Sequence, residues 1–246
     1  MSNRALATET RPGEGGPAGT VDSACMRWSG GRLDAARESL VVEEPLAVEI
    51  AYERLGQPVR RLISVTMRTP GDDADLALGF LYCESLVDSA ADVLSAESLP
   101  ADSRGEAIPT LLSRLARAPS SQAAERVSRG ILTSAACGLC GRTTLEGLRS
   151  ADGQPQRRLA PVRAADVSAL PGRLRSLQRI YPGTGGCHAA GLFGEDGEPR
   201  IVREDVGRHN AVDKVIGAAL RAGTGLSGAT LVLSGRAGFE LIQKSA

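Results

Sequence analysis

Two thiols stand three positions apart in this chain, Cys137 and Cys140, with glycines at 138 and 141. Cysteines at this spacing, on a backbone that glycine lets bend, suit thiol exchange, persulfide carriage or half of a tetrahedral zinc site. Thr143 and Glu146 fit the S/T-x-x-E capping box, so the spacing predicts a helix that starts directly after the pair. The unpaired N–H groups of that helix would favour a nearby thiolate, and Arg142 adds positive charge. The competing reading is plain packing, because cysteine is small and often buried.

Three further segments hold residue types suited to chemistry. Residues 183–188 combine glycines with Cys187 and with His188, one of two histidines. An imidazole that titrates near neutrality can move a proton or hydrogen-bond a ligand, and it can equally sit packed beside a turn. Cys187, followed closely by Ala189 and Ala190, reads as packing. Residues 204–214, EDVGRHNAVDK, concentrate charge at an expected helix start, where exposed N–H groups bind phosphates and Arg208 or Lys214 can reinforce them. A charged loop capped by Asn210 is the structural alternative. Ser234, Gly235 and Arg236 repeat the arrangement of strand, glycine, basic residue and helix. That segment lacks both the Gly-x-x-x-x-Gly-Lys loop and the full Gly-x-Gly-x-x-Gly fingerprint, so the common nucleotide folds are not indicated there.

Positioning these side chains requires alternating strands and helices. Residues 46–50 and 59–67 read as two strands around Gly56 and Gln57, and Asp72 and Asp73 then open a helix carrying Leu76, Phe80 and Val87, with Cys83 as core filler. Pro100, Pro109 and Pro119 punctuate a weaker stretch in which 111–118 and 122–128 read as short helices. A helix is expected around 171–180, with Pro171 in its first turn. Residues 191–193 and 199–202 flank a Gly194–Gly197 hairpin turn. The helix over 210–220 gathers Ala211, Val212, Val215, Ile216 and Ala219 on one stripe and leaves Asp213 and Lys214 on the other side. Residues 229–233 form an apolar strand that leads into another helix. The alternation predicts an α/β layer structure, divided into a disordered tail over 1–21, an N-terminal portion over 22–130 and an α/β core over 131–246, with order beginning near Cys25.

Composition removes several functions. Basic and acidic residues balance at 29 each, and aromatics make up 3%, so a broad nucleic-acid field and base-stacking platforms are both excluded. Five cysteines with no signal-like leader point to a reducing, cytoplasmic setting, and no run approaches the roughly 18 apolar residues of a membrane span.

In order along the chain, residues 67–73 (MRTPGDD) with 76–81 (LALGFL), 137–141 (CGLCG), 184–189 (TGGCHA), 204–214 and 234–240 (SGRAGFE) resemble the FdhD family, sulfurtransferase accessory proteins required for formate dehydrogenase activity. The resemblance implies a cytidine-deaminase-like layered α/β domain with a smaller N-terminal β-containing portion, acting as a homodimer. It also implies a reaction in which a cysteine desulfurase hands sulfur to Cys137 as a persulfide, Cys140 is its CxxC partner, and the molybdenum bis(pyranopterin guanine dinucleotide) cofactor is the acceptor substrate. No permanently bound cofactor or metal is expected, and formate dehydrogenase is the client. Arg208, His209, Lys214 and then Arg236 are the candidates for contacting the guanine dinucleotide phosphates, with His188 beside them. Family members continue past the position matching Ala246, so the core is expected to lack its C-terminal part. A zinc-binding or scaffold role is the alternative, with Cys137, Cys140 and perhaps Cys187 and His188 as ligands. Deaminase chemistry is not expected, because position 190 is Ala where H-x-E needs Glu. A thioredoxin-like reductase lacks its βαβ context.

Overall fold

The computed structural model describes residues 17–101, 108–120 and 163–245, together with the backbone of two short strands, Arg11–Pro12 and Leu132–Thr133. Strand β1 (Arg11–Pro12) pairs with β2 (Thr20–Ser29), and β2 pairs with β3 (Arg32–Val41) across a Gly30–Gly31 turn in which both glycines have positive φ. This ribbon begins ahead of Cys25, and its polar alternation gave no strand signal in the sequence. A five-stranded sheet in the order β6-β7-β4-β5-β8 follows, built from β4 (Glu44–Arg54), β5 (Gln57–Arg68), β6 (Val93–Leu99), β7 (Thr110–Leu115) and β8 (Leu132–Thr133). β7 replaces the helix expected over 111–118. It lies parallel to β4 and antiparallel to β6, and Leu111, Leu112 and Leu115 are buried there. The helix expected over 122–128 lies outside the described residues, as does everything expected of 134–162.

The second half carries a three-stranded antiparallel sheet, β10-β9-β11, from β9 (His188–Phe193), β10 (Pro199–Asp205) and β11 (Thr230–Leu233). The expected hairpin turn is present, with Gly197 in the left-handed region at φ 73°. Five α-helices lie among the described residues: α1 (Asp73–Cys83), α2 (Ala164–Leu177), α3 (Tyr181–Thr184), α4 (Arg208–Arg221) and α5 (Phe239–Ser245). α2 starts earlier than expected, and Pro171 lies in its interior on the exposed side. A missing N–H there withdraws one bond from a carbonyl that faces water, so the helix continues through it.

Layers form from these elements. α1 packs Leu76, Ala77 and Leu81 onto the five-stranded sheet at Leu46, Val48, Ile50 and Leu111. α4 packs Ala211, Val212, Val215 and Ala219 onto Ala190 and Leu192 of β9, and α2 covers the opposite face of that sheet with Leu170 and Leu174 against Ala189, Phe193 and Val232. α1 and α4 cross at Gly79 and Gly217, where an added Cβ would stand 1.9 Å from the Asp213 and Asp75 carbonyl oxygens respectively. That second packing face buries the side of α4 that carries Asp213 and Lys214, which are 3% and 1% exposed. The apolar stripe marked one contact surface of α4, and the crossing with α1 supplies another on the polar side. No helix among the described residues is long and apolar enough to cross a membrane.

Candidate functional site

At one end of the three-stranded sheet, the start of β9, the ends of β10 and β11 and the start of α4 come together. His188 opens β9 opposite Asp205, the last residue of β10. The turn after β11 is fastened to β9 by Ser234 Oγ, which accepts the Ala189 N–H at 2.8 Å, and by the Ser234 N–H, which donates to the Ala189 carbonyl at 3.0 Å. Gly235 then passes so close to the His188 ring that a Cβ there would lie 3.0 Å from Nδ1. Arg236 follows on the exposed side.

Asp205 organises the approach to α4. It is fully buried, and its Oδ1 accepts the Gly207 N–H at 2.8 Å and Asn210 Nδ2 at 3.1 Å, while Oδ2 accepts the Thr69 N–H at 3.1 Å and pairs with Lys214 Nζ at 2.8 Å. Lys214 also donates to the Thr69 carbonyl at 2.8 Å. Gly207, not Asn210, is the residue that caps α4, and Asn210 turns inward to bridge Asp205 and the Met67 carbonyl at 2.8 Å. The tie to Thr69 and Met67 explains why an asparagine sits inside the first turn.

The structure therefore brings His188, Arg208, His209 and Arg236 to one corner and places Lys214 inside the protein, its ammonium committed to Asp205. Burial lowers the His188 pKa, the Arg208 and Arg236 guanidiniums push the same way, and Asp205 opposes them, so the ring is neutral at pH 7. His209 falls to about 4, first through burial and then through Arg208, Lys244 and His188, and its neutral ring lies 3.2 Å from Glu240 Oε2. Although this contact has ion-pair distance, the desolvation of a half-buried imidazole dominates, and the ring stays neutral beside the carboxylate. Arg208 Nε is buried and makes no hydrogen bond among the described residues. Two guanidiniums, a neutral imidazole and the positive end of α4 thus face a shared corner, an arrangement that receives anions.

Cys187 occupies different surroundings. It is 4% exposed, and its thiol donates to Glu204 Oε1 at 3.3 Å. Burial raises its pKa strongly and the Glu204 carboxylate adds to the rise, so it remains a thiol, in keeping with packing. Burial alone would raise Glu204, but the Ile180, Tyr181 and Arg179 N–H groups outweigh it and hold the carboxylate below its ordinary value. Glu204 thereby fixes the corner between α2 and α3, at 2.6 to 3.0 Å from those three nitrogens. Cys137 and Cys140 lie outside the described residues, and among the described residues no group of three or more His, Cys, Asp or Glu side chains could hold a metal. Asp205, Glu204, Thr69 and Ser234 were not marked as positioning residues from the sequence. The available signal for Asp205 was an acidic residue at a strand end, two positions before a glycine that starts a helix.

A family model described as the FdhD/NarQ family matches residues 41–246. A sulfur carrier protein FdhD of Nocardia farcinica is 45% identical over 212 residues, covering 85% of this chain and 72% of the relative. Another, from Anaeromyxobacter dehalogenans, is 42% identical over 240 residues and covers 94% and 79%. In three dimensions the chain is similar to a crystal structure from Desulfotalea psychrophila, assigned there as a formate dehydrogenase accessory protein, with a TM-score of 0.61, 19% identity and coverage of 92% and 77%. That likeness extends the mixed α/β architecture to a distant sequence. Identity above 40% in relatives of which the chain spans nearly three quarters or more, together with a family match running from β3 to the last residue, establishes that this chain belongs to the FdhD/NarQ family.

Proposed function

We propose that this chain is a sulfur carrier that accepts sulfur from a cysteine desulfurase on Cys137 and passes it to the molybdenum bis(pyranopterin guanine dinucleotide) cofactor destined for formate dehydrogenase. The observation that carries the reading is family membership across a span that contains both the Cys137–Cys140 pair and the cationic corner at α4. In the first step the Cys137 thiolate attacks the outer sulfur of the donor's persulfide; a new S–S bond forms on Cys137 and the donor leaves as its thiolate. In the second, attack by Cys140 on the inner sulfur of the Cys137 persulfide forms a disulfide and releases hydrosulfide toward the acceptor, and a dithiol reductant restores both thiols. Arg208 and Arg236 then serve the phosphates of the guanine dinucleotide, with His188 and His209 as hydrogen-bonding neighbours, and the carrier acts as a homodimer in the cytoplasm.

Zinc ligation by the same cysteines needs two further donors, and Cys187 suits that role poorly: its thiol is held protonated against Glu204. The test is uptake of labelled sulfur from a desulfurase by the full chain. Cys137→Ala is expected to abolish labelling, while Cys187→Ala retains it; unchanged labelling in the first variant rejects the mechanism. Arg208→Glu is expected to weaken guanine nucleotide binding about tenfold or more, and an unaltered affinity rejects the placement of the phosphates.

A further inference from the structure

α5 has seven residues, and a helix that short keeps its place through tertiary contacts rather than by its own propensity. Phe239 and Ile242 are more than half exposed, so the opposite face must hold it. Leu241 is buried there, in the cluster that contains Ala211, Val212 and Val215 of α4. Lys244, in the last turn, donates to Asp213 Oδ1 of α4 at 2.6 Å, with both side chains largely buried, and its ammonium lies 5.5 Å from the centre of the Phe80 ring of α1. Burial alone would lower the Lys244 pKa, but the Asp213 carboxylate outweighs it and the ammonium stays charged. At the other end of the helix, Glu240 Oε2 stands 3.2 Å from His209 Nε2.

Arg236 depends on these anchors. It is exposed and makes no hydrogen bond or ion pair among the described residues, so its backbone alone sets where the guanidinium begins. Residues 235–238 join the turn after β11 to α5, with a glycine at each end. Ser234 fastens the first end to Ala189, and α5 fastens the second. A glycine-bordered loop tied at one end explores many conformations; tied at both, it keeps Arg236 near His188. Leu241 contributes burial, which has no direction, whereas a charge-assisted bond of 2.6 Å fixes how α5 is rotated.

We infer, on the reading of the α4 corner as the phosphate site, that Lys244 is a positioning residue for it: the ion pair with Asp213 sets α5, which holds Arg236 beside His188 and Glu240 against His209. Lys244 contacts no ligand and acts through Arg236.

Three variants test this: K244R, which keeps the cation; K244M; and D213N/K244M, which leaves no orphaned carboxylate and so guards against loss of folding. The first readout needs no ligand and is the NMR titration of the two imidazoles. Burial, then Arg208 and Arg236, lower the His188 pKa and Asp205 opposes them, while Lys244 is not among the groups that act on it. Release of Arg236 is therefore expected to raise the His188 pKa by about 0.5 or more in K244M and in D213N/K244M, with K244R matching the wild type. R236A is expected to raise it in the wild type and to add nothing in D213N/K244M. The second readout is affinity for inorganic pyrophosphate and for guanosine diphosphate, where R236A is expected to cost about tenfold in the wild type and less than about twofold in D213N/K244M. A His188 pKa that stays in place in K244M and D213N/K244M, or R236A effects of equal size in both backgrounds, overturns the role of Lys244. Wild-type protein that binds neither anion rejects the phosphate site instead, and the imidazole titration then decides by itself whether Lys244 places Arg236.

Discussion

His209 shows how a single side chain in the α4 corner ties stability to pH. Its pKa in the folded protein is about 4, against 6.5 for the unperturbed ring, because burial and the Arg208, Lys244 and His188 charges disfavour imidazolium. The unfolded chain therefore binds a proton that the folded chain refuses. Stability is full above about pH 6.5 and is lost as the pH falls from there toward 4, by about 2 kcal/mol at pH 5. His209→Gln retains a donor for Glu240 without the titration. Urea midpoints measured at pH 7 and pH 5 are expected to fall less in this variant than in the wild type, and equal falls would place the pH sensitivity elsewhere. At this scale the sequence marked His188, Arg208, His209 and Arg236 by residue type and by their places beside glycines and an expected helix start. It did not reveal that Lys214 is an internal ion-pair partner, since a lysine's charge commits it to nothing until its neighbours are known.

Elements were legible where one face meets solvent, and less so where two faces are buried. α1, the β9–β10 hairpin and β11 follow from apolar spacing and turn glycines, and the structure places them within a few residues of expectation. β7 was mistaken for a helix because Leu111, Leu112 and Leu115 satisfy helical spacing as well as a strand buried between β4 and β6. The crossing of α1 and α4 was invisible for another reason: glycine signals a turn or a close approach, and only the partner helix decides which. Substitution separates the two cases. Gly79→Ala places a methyl 1.9 Å from the Asp213 carbonyl oxygen and must push α4 away, at an expected cost of about 3 kcal/mol or more, or loss of folding. Gly172, within α2, has open space where its Cβ would be, so Gly172→Ala is expected to stabilise by about 0.5 to 1 kcal/mol. Thermal midpoints that move in the same direction for both variants would contradict this account of the crossing.

Across the whole molecule, two sheets meet through one buried carboxylate. Asp205 closes β10 of the smaller sheet, while Thr69, whose N–H and carbonyl bind Asp205 and Lys214, follows β5 of the larger one. The Val206 N–H returns a bond to Thr69 Oγ1 at 3.0 Å, so the strand end and the β5–α1 turn are stitched in both directions. The same residues set the start of α4, and with it the spacing of Arg208 from His188. Opening either sheet exposes this ion pair, and the two should unfold together. Lys214→Met removes the ammonium and leaves Asp205 charged in the interior, at an expected cost of about 3 to 5 kcal/mol. Adding Asp205→Asn takes away the orphaned charge while the amide oxygen can still accept the Gly207 and Asn210 N–H groups, so the double variant should be destabilised by less than the sum of the two singles, with a coupling of about 0.5 to 3 kcal/mol. Native-state amide exchange gives the sharper test. In Lys214→Met, protection within β4–β5 and within β9–β10 is expected to fall by the same free energy, because the hub belongs to both sheets. A loss confined to β9–β10, with β4–β5 keeping wild-type protection, would show that the sheets are energetically separate and that the α4 corner is held by its own sheet alone.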